Sequence, residues 1–306
     1  MNTTPSFTHT LRQRWQAADS MLCVGLDPDP ARIPAHLGTG PEAIDRFCRD
    51  IIAATADTVC AFKPQIAYFA AQGAEDVLAG LIAHIHAEHP GIPVILDAKR
   101  GDIGSTARQY GVEAFDRFKA DALTLSPFMG FDSIEPYFEW AGRGLILLCR
   151  TSNPGGNDLQ ALSVLPAGNA TGTLPGAPSP RQSASDTTSS AQPEKLYEHL
   201  ARLAAGPWNV SGELGLVVGA TFPDELARVR ALAPRLPLLV PGVGAQGGDV
   251  NATVRTGLDA DGYGLVINSS RAILYAGQGT DFADQARQAA VATRDAIRAA
   301  RDAARA

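Results

Sequence analysis

Short apolar runs alternate with longer amphipathic segments along this chain of 306 residues, and this alternation constrains the fold more than any other feature. The apolar runs are typical of strands that are buried on both faces of a parallel sheet, and the longer segments show helical periodicity. Eight strand-then-helix units follow one another, with strands predicted at 21–26, 59–62, 92–96, 122–125, 145–149, 214–218, 238–240 and 264–267. Helices are predicted at 7–17, 41–56, 74–87, 105–118, 133–141, 194–205, 224–232 and 249–256, and from 281 onward.

Polar residues at the ends of these strands distinguish between two architectures, a closed (β/α)8 barrel and a doubly wound open sheet. Six such residues lie at or just beyond strand C-termini, from the first unit to the last: Asp27, Lys63, Asp97, Ser152, Gly242 and Arg271. All six can converge only if the first strand lies beside the eighth, which requires a closed barrel. The sequence therefore predicts an α/β fold, a (β/α)8 TIM barrel that forms a single domain over residues 1–306.

A segment of biased composition, 162–193, interrupts the pattern after the fifth strand. It is rich in Ala, Gly, Pro, Ser and Thr, it lacks aromatic residues, and its only charged residues are Arg181 and Asp186. Such a segment buries too little apolar area to offset the conformational entropy lost on ordering. We predict a flexible surface insertion within the barrel domain, with a functional lid as the alternative.

The composition limits the class of partner. A net charge of −6 and a pI near 5.5 argue against a nucleic acid or an anionic membrane surface. No apolar run reaches the roughly 18 residues that a membrane span needs, and we expect no secretory signal because the N-terminal segment lacks an apolar core. The four cysteines are far apart, which predicts buried free thiols, a reducing compartment and a cytoplasmic location.

The third strand ends in a cluster of charges, Asp97-Ala98-Lys99-Arg100-Gly101-Asp102. Asp97 and Lys99 share one face of the strand because side chains alternate, and Lys63 ends the neighbouring strand. A solvated ion pair is the simpler interpretation, but two carboxylates and a lysine, Asp97, Asp102 and Lys99, at the end of a buried strand favour a working site. Interleaved lysines disfavour a magnesium site, and a lysine between carboxylates should stay protonated, which disfavours a Schiff base. Such a lysine can donate a proton to a carbanion.

A glycine-rich loop, 241–249, follows the seventh strand and includes Gly244 and Gln246. Its backbone N–H groups could bind a phosphate, although a tight turn needs no function. Ser270 and Arg271 follow the eighth strand, where barrels often bind phosphate, and a guanidinium can grip a phosphate with two hydrogen bonds. Together they predict a phosphomonoester site.

Two further polar groups are weaker candidates. The turn 150–156 carries hydroxyl and amide groups that could read the edge of a heterocycle, with Ser152 among them, or it could be a turn without a function. His84, His86 and His89 suggest a metal cluster, but residues two apart on a helix point in different directions. We interpret the three histidines as a solvated helix end.

These residues give the chain a resemblance to the orotidine 5′-phosphate decarboxylase family, in its longer bacterial type. The motif Asp97-x-Lys99-x-x-Asp102 carries most of it, and Pro-Gly-Val-Gly-Ala-Gln-Gly-Gly at 241–248 adds support. The resemblance covers 24–275 outside the insertion. It implies a barrel that forms a homodimer and converts orotidine 5′-phosphate to UMP and CO2, in pyrimidine synthesis, without cofactor or metal.

The resemblance also implies roles for individual residues. Lys63, Asp97 and Lys99 would act in one subunit, with Lys99 as the proton donor to the C6 carbanion and Asp97 beside the departing carboxylate. Asp102 and Thr106 would reach into the partner's site. Asp27 and Thr106 would contact the ribose, and Ser152 would contact the pyrimidine. The phosphate would be bound by Gln246, in the loop that also carries Gly244, and by Arg271, which follows Ser270.

Two alternatives stay open at this point. One is a magnesium-dependent lyase or aldolase of the same barrel family that acts on a β-keto acid phosphate, for which loss of activity in EDTA would be the sign. The other is a nucleotide-binding barrel that has lost its chemistry. A buried array of alternating charges is costly to retain for binding alone, which favours the decarboxylase.

Overall fold

The barrel is closed by eight parallel strands in the computed structural model, which describes residues 6–166, 192–243 and 248–305. The strand order is β2-β1-β8-β7-β6-β5-β4-β3, so the first strand lies between the second and the eighth. The predicted α/β barrel is confirmed. The strands are β1 Leu22–Leu26, β2 Ala61–Pro64, β3 Ile95–Arg100, β4 Ala122–Leu125, β5 Gly144–Arg150, β6 Leu214–Val218, β7 Leu238–Val240 and β8 Leu265–Ser269.

The last gap in the barrel, between β2 and β3, is closed by single bridges instead of a full ladder. Phe62 pairs with Val94 and Gln65 pairs with Asp97, and the Phe62 amide donates to the Pro93 carbonyl at 3.1 Å. The second bridge lies beside Lys63, so barrel closure itself brings Lys63 next to Asp97.

Most of the predicted helices form within one or two residues of their expected ends, and they cover the strands from outside. The segment predicted as a helix at 105–118 begins as α-helix and continues as a π-helix, Val112–Arg117. The α-helices are α1 Phe7–Ala18, α2 Gly40–Thr55, α3 Ile66–Ala70, α4 Glu75–Glu88, α5 Gly104–Gly111, α6 Leu196–Ala205, α7 Pro223–Leu232, α8 Val250–Gly257, α9 Arg271–Leu274 and α10 Phe282–Arg305.

The helix predicted at 133–141 is wrong. Two 3₁₀ turns, Phe131–Ser133 and Glu135–Glu139, take its place. Pro136 has no amide hydrogen to donate, and Gly142 turns the chain with a φ of 79°. Between these two residues the segment is too short to repay the cost of nucleating an α-helix.

The N-terminal end of the barrel is covered by α1. Phe7, Leu11 and Trp15 are buried there. Glu213, which precedes β6, accepts hydrogen bonds from the Ser6 hydroxyl and, at 2.8 Å, from the Thr8 amide. Since this end is closed, the polar residues at the strand C-termini lie at the open end.

The predicted insertion at 162–193 has an ordered base. Ser163–Val164 pairs antiparallel with Glu194–Lys195, while residues 167–191 lie outside the described part of the chain. A single domain with a flexible insertion stays a prediction. Within the three described ranges, no helix combines the length and the apolar character that crossing a membrane requires.

Candidate active site

A buried carboxylate, Asp97, is the centre of the site. Its Oδ2 atom lies 2.8 Å from Lys63 Nζ, and its Oδ1 atom lies 2.6 Å from Lys99 Nζ. The hydroxyl of Thr124 donates a third hydrogen bond, at 3.0 Å to Oδ1. Three of the four charged residues predicted as catalytic are therefore brought together by the ends of β2 and β3.

The charges of this cluster stabilise one another. Burial alone would raise the pKa of Asp97, but the charges and hydrogen bonds of Lys63 and Lys99 outweigh it and hold that pKa well below its usual range. Burial alone would lower the pKa of Lys63, but the negative charges of Asp97 and Asp27 hold it above its usual range. Asp97 is therefore an anion and Lys63 a cation at neutral pH.

A cavity of about 490 Å³ opens in front of Lys63, Asp97 and Lys99. Ser152, at the end of β5, lies on its wall. Apolar side chains cover part of the remaining lining: Leu148, Val217, Leu239 and Pro241. A cavity of this size and mixed lining fits a heterocycle whose polar edge faces one side.

A smaller cavity of about 180 Å³ adjoins the first and shares Lys63 and Asp97 with it. Asp27, Ser270 and Arg271 line it, together with Gly242. Arg271 begins α9, and Ser270 is packed against β1 so closely that a Cβ on Gly25 would lie 1.9 Å from its hydroxyl oxygen. Three of the residues predicted to bind ribose and phosphate, Asp27, Ser270 and Arg271, thus lie beside the charged cluster.

Two residues that line the smaller cavity each have a buried side-chain oxygen without a hydrogen-bond partner among the described residues: Asp27 Oδ1 and Asn268 Oδ1. Buried polar atoms are normally paired, so both are candidates to accept hydrogen bonds from ligand hydroxyls. Tyr275 fixes the backbone here, since its hydroxyl donates to the Asp27 carbonyl at 2.8 Å and accepts from the Asp29 amide at 2.6 Å. Sequence reasoning missed Asn268 and Tyr275.

Two predicted residues lie apart from the cluster in this chain. Asp102 lines neither cavity, and its carboxylate accepts from the neighbouring Ile103 amide at 2.8 Å. Thr106 is exposed on α5. Gly244 and Gln246 fall outside the residues that the structure describes.

A buried arginine, Arg150, supports the Ser152 turn and was not predicted as part of the site. Its guanidinium pairs with Glu225 of α7, donates to Asn157 at 2.5 Å, and lies 4.0 Å from the centre of the Phe222 ring. Gln160 accepts from the Thr151 amide at 2.8 Å. The sequence did contain a signal for this role: an arginine at the end of an apolar strand is expected to be buried, and a buried charge requires polar partners.

His84, His86 and His89 lie at the C-terminal end of α4 and are each partly exposed, and His86 is also paired. Its Nε2 atom lies 2.8 Å from the Asp121 carboxylate, which Arg143 also contacts at 3.0 Å. Within the described ranges, no group of three or more His, Cys, Asp or Glu residues is arranged to hold a metal ion.

Comparisons with known proteins agree with this geometry. A model of the orotidine 5′-phosphate decarboxylase / HUMPS family matches residues 20–171. Proteins named orotidine 5′-phosphate decarboxylase from Azoarcus sp. (strain BH72) and Aromatoleum aromaticum are 62% and 61% identical over 285 residues, which is 93% of this chain and 96% of each relative.

A solved structure supports the same assignment. That of Leishmania donovani OMP decarboxylase is similar with a TM-score of 0.76 at 39% identity, covering 97% of this chain and 99% of that chain. Sequence identity and fold therefore agree over almost the whole length. The chain belongs to the orotidine 5′-phosphate decarboxylase family.

Proposed function

We propose that this chain converts orotidine 5′-phosphate to UMP and CO2, the last step of pyrimidine nucleotide synthesis, with Lys99 as the proton donor. The observation that carries the proposal is Asp97 held between Lys63 and Lys99 at the side of a cavity that continues to Arg271. Relatives at about 60% identity that bear the decarboxylase name support it.

The smaller cavity binds the ribose and the phosphate in this proposal. Arg271 supplies a guanidinium and Ser270 a hydroxyl to the phosphate, while Asp27 Oδ1 accepts from a ribose hydroxyl. Gly244 and Gln246 would complete the phosphate site. Binding energy from this part of the substrate is available to the reaction at the other end of the molecule.

The larger cavity holds the pyrimidine, with Ser152 at its edge and the substrate carboxylate beside Asp97. The bond between C6 and the carboxylate breaks, CO2 leaves, and the electron pair remains on C6. Lys99 Nζ stabilises this charge and then transfers its proton to C6, which gives UMP and a neutral lysine that regains a proton from solvent. Charges fixed in place before the reaction stabilise the developing anion without reorganisation.

A homodimer with shared sites completes the proposal, with Asp102 and Thr106 of one subunit reaching the partner's cavity. Gly101 lies against Ser126, so the segment that carries Asp102 adjoins the loop after β4. Three apolar side chains in these two segments are strongly exposed: Ile103 by 49%, Phe128 by 75% and Met129 by 46%. Exposed apolar side chains that are grouped in this way support a protein interface. The four cysteines, all free and buried, support a cytoplasmic location.

The test is the loss of orotidine 5′-phosphate absorbance with purified wild-type protein and Lys99→Ala. We expect turnover to fall by at least about 1,000-fold, because both charge stabilisation and the proton are lost. Lys119→Ala is the matched control, since Lys119 is an exposed lysine that also has a positive φ, of 57°. Wild-type turnover in Lys99→Ala would show that Lys99 is not the acid.

The same assay separates the alternatives. Activity that is unchanged by EDTA supports the decarboxylase as proposed, whereas activity abolished by EDTA and restored by Mg²⁺ favours the lyase. Tight UMP binding without release of CO2 from orotidine 5′-phosphate would identify a binding barrel instead.

A further inference from the structure

We infer that Thr124, in the middle of β4, is a positioning residue that fixes the backbone of Lys99 for the proposed proton transfer; the inference rests on that proposed role of Lys99. Thr124 is 1% exposed. Its hydroxyl oxygen accepts from the amides of Ala98 at 3.0 Å and Lys99 at 2.9 Å, and its hydrogen is directed to Asp97 Oδ1 at 3.0 Å. One side chain therefore contacts three consecutive residues of the site.

The backbone of β3 needs this support because it leaves regular strand geometry here. The pairing of β3 with β4 shifts register between Leu96 and Arg100, and Lys99 has a φ of 46°. A left-handed conformation is unfavourable for a residue with a Cβ atom and persists only when its surroundings hold it in place. The Thr124 oxygen supplies the acceptor that the amides of Ala98 and Lys99 would otherwise find in a strand ladder.

The conformation of Lys99 decides where its ammonium group lies. With φ at 46°, Nζ lies 2.6 Å from Asp97 Oδ1, on the wall of the larger cavity. The same hydroxyl that fixes the Lys99 backbone also orients the Asp97 carboxylate. Thr124 thus sets the distance between the proposed acid and its anionic neighbour without taking part in proton transfer.

Thr124→Val keeps the shape of the side chain and removes all three hydrogen bonds. We expect kcat for orotidine 5′-phosphate to fall by about 10- to 100-fold, because small misplacement of a reacting group has effects of this size. Thr124 borders the larger cavity but is only 1% exposed, and it does not line the smaller cavity where the phosphate is proposed to bind. KM should therefore change by less than about 3-fold. Thr124→Ser keeps the hydroxyl and should restore kcat to within about 5-fold of wild type.

Leu123→Val is the matched control, because it shortens the preceding buried side chain of β4 and leaves the polar contacts intact. It should lower the melting temperature without lowering kcat. Equal kcat losses in Leu123→Val and Thr124→Val, or wild-type kcat in Thr124→Val, would overturn the inference. If Thr124→Val does not fold, Thr124→Ala against Thr124→Ser gives the same comparison.

Lys99→Ala, assayed in parallel, separates this inference from the proposed function. If Lys99→Ala retains turnover, the proposed acid is wrong. If Lys99→Ala is inactive while Thr124→Val has wild-type kcat, only the role of Thr124 is wrong.

Discussion

At the scale of single residues, the site depends on a buried carboxylate that is neutralised from two sides. Lys63 and Asp97 are 5% and 7% exposed, so each of these buried charges depends on its oppositely charged partners. Lys99 faces the cavity, with 47% of its side chain exposed. This difference in burial suits Lys63 to holding Asp97 in place and suits Lys99 to the proposed role of proton donor to the substrate.

Asp97→Asn should be inactive and less stable than wild type by about 3–5 kcal/mol, because it leaves Lys63 buried without a counter-ion. The pH dependence has a definite sign. The pKa of Asp97 is lowered in the folded state, so its stabilisation is complete above the unfolded value of about 4 and is lost as the pH falls below it. Urea unfolding of both proteins at pH 7, 5 and 3.5 measures the difference.

The difference in the free energy of unfolding between wild type and Asp97→Asn should be constant between pH 7 and 5 and should become smaller at pH 3.5. Lys63, whose pKa is raised, contributes in the opposite sense: its stabilisation is complete below about pH 10 and is lost only at higher pH. A difference that stayed the same at pH 3.5 would contradict the lowered pKa of Asp97.

Tyr275→Phe should raise KM several-fold with little change in kcat. The tyrosine hydroxyl joins the Asp27 carbonyl to the Asp29 amide, and its loss loosens the segment that presents Asp27 to the proposed ribose site. Steady-state kinetics on orotidine 5′-phosphate provide the measurement. Tyr263→Phe is the control, since Tyr263 stacks on Trp15 of α1 at the opposite end of the barrel. A change in kcat alone would argue against a role for Tyr275 in binding.

At the scale of elements, the end of β5 is attached to α7 by one buried ion pair. Arg150 is 1% exposed and its partner Glu225 is 27% exposed, as side chains. The arginine also holds the turn that carries Ser152, through Asn157. The ion pair therefore links the outer helical layer to the wall of the larger cavity.

Glu225→Gln should reduce the free energy of unfolding by about 2–4 kcal/mol, because it leaves the Arg150 guanidinium buried without a negative partner. Glu139→Gln is the control. Its pair with Arg108 is half exposed on both sides and should contribute less than about 1 kcal/mol. Chemical denaturation of the two variants and wild type measures both effects, and equal losses would show that burial of Arg150 is not the cause.

At the scale of the whole molecule, two residues of the proposed site, Asp102 and Thr106, lie apart from the rest of it within one chain. The other proposed residues that the structure describes lie together. Asp102 and Thr106 lie in the segment that also exposes Ile103, next to the loop that exposes Phe128 and Met129. A second copy of the chain that covered these apolar side chains would bring its own Asp102 to the site. The site would then be complete only in the dimer.

Mixing two inactive variants tests this arrangement. If Asp102 acts in the partner's site, a heterodimer of Lys99→Ala and Asp102→Asn contains one site with both changes and one intact site. Random exchange of subunits should restore about a quarter of wild-type activity per total subunit, since half of the dimers are mixed and half of their sites are intact. If Asp102 acts in its own chain, mixing restores nothing. Sedimentation of each variant alone shows whether it still forms a dimer.

The sequence by itself determined the architecture and the principal charges of the site. Alternating strand and helix patterns predicted the barrel, and polar residues at strand ends predicted that Lys63 and Asp97 would meet, because the C-termini of parallel strands lie at one end of a barrel. The family motif indicated the chemistry. These features are local in sequence or follow from the symmetry of the fold, so they can be read without coordinates.

Only the tertiary structure decided which polar residues support those charges. Thr124 lies 27 residues from Asp97, and Tyr275 lies 248 residues from Asp27, so no local pattern connects them. A threonine within an apolar strand or a tyrosine after a short helix has many ordinary explanations. Their roles become visible only when folding places one hydroxyl between particular backbone groups, because a hydrogen bond depends on distances of about 3 Å that sequence spacing does not specify.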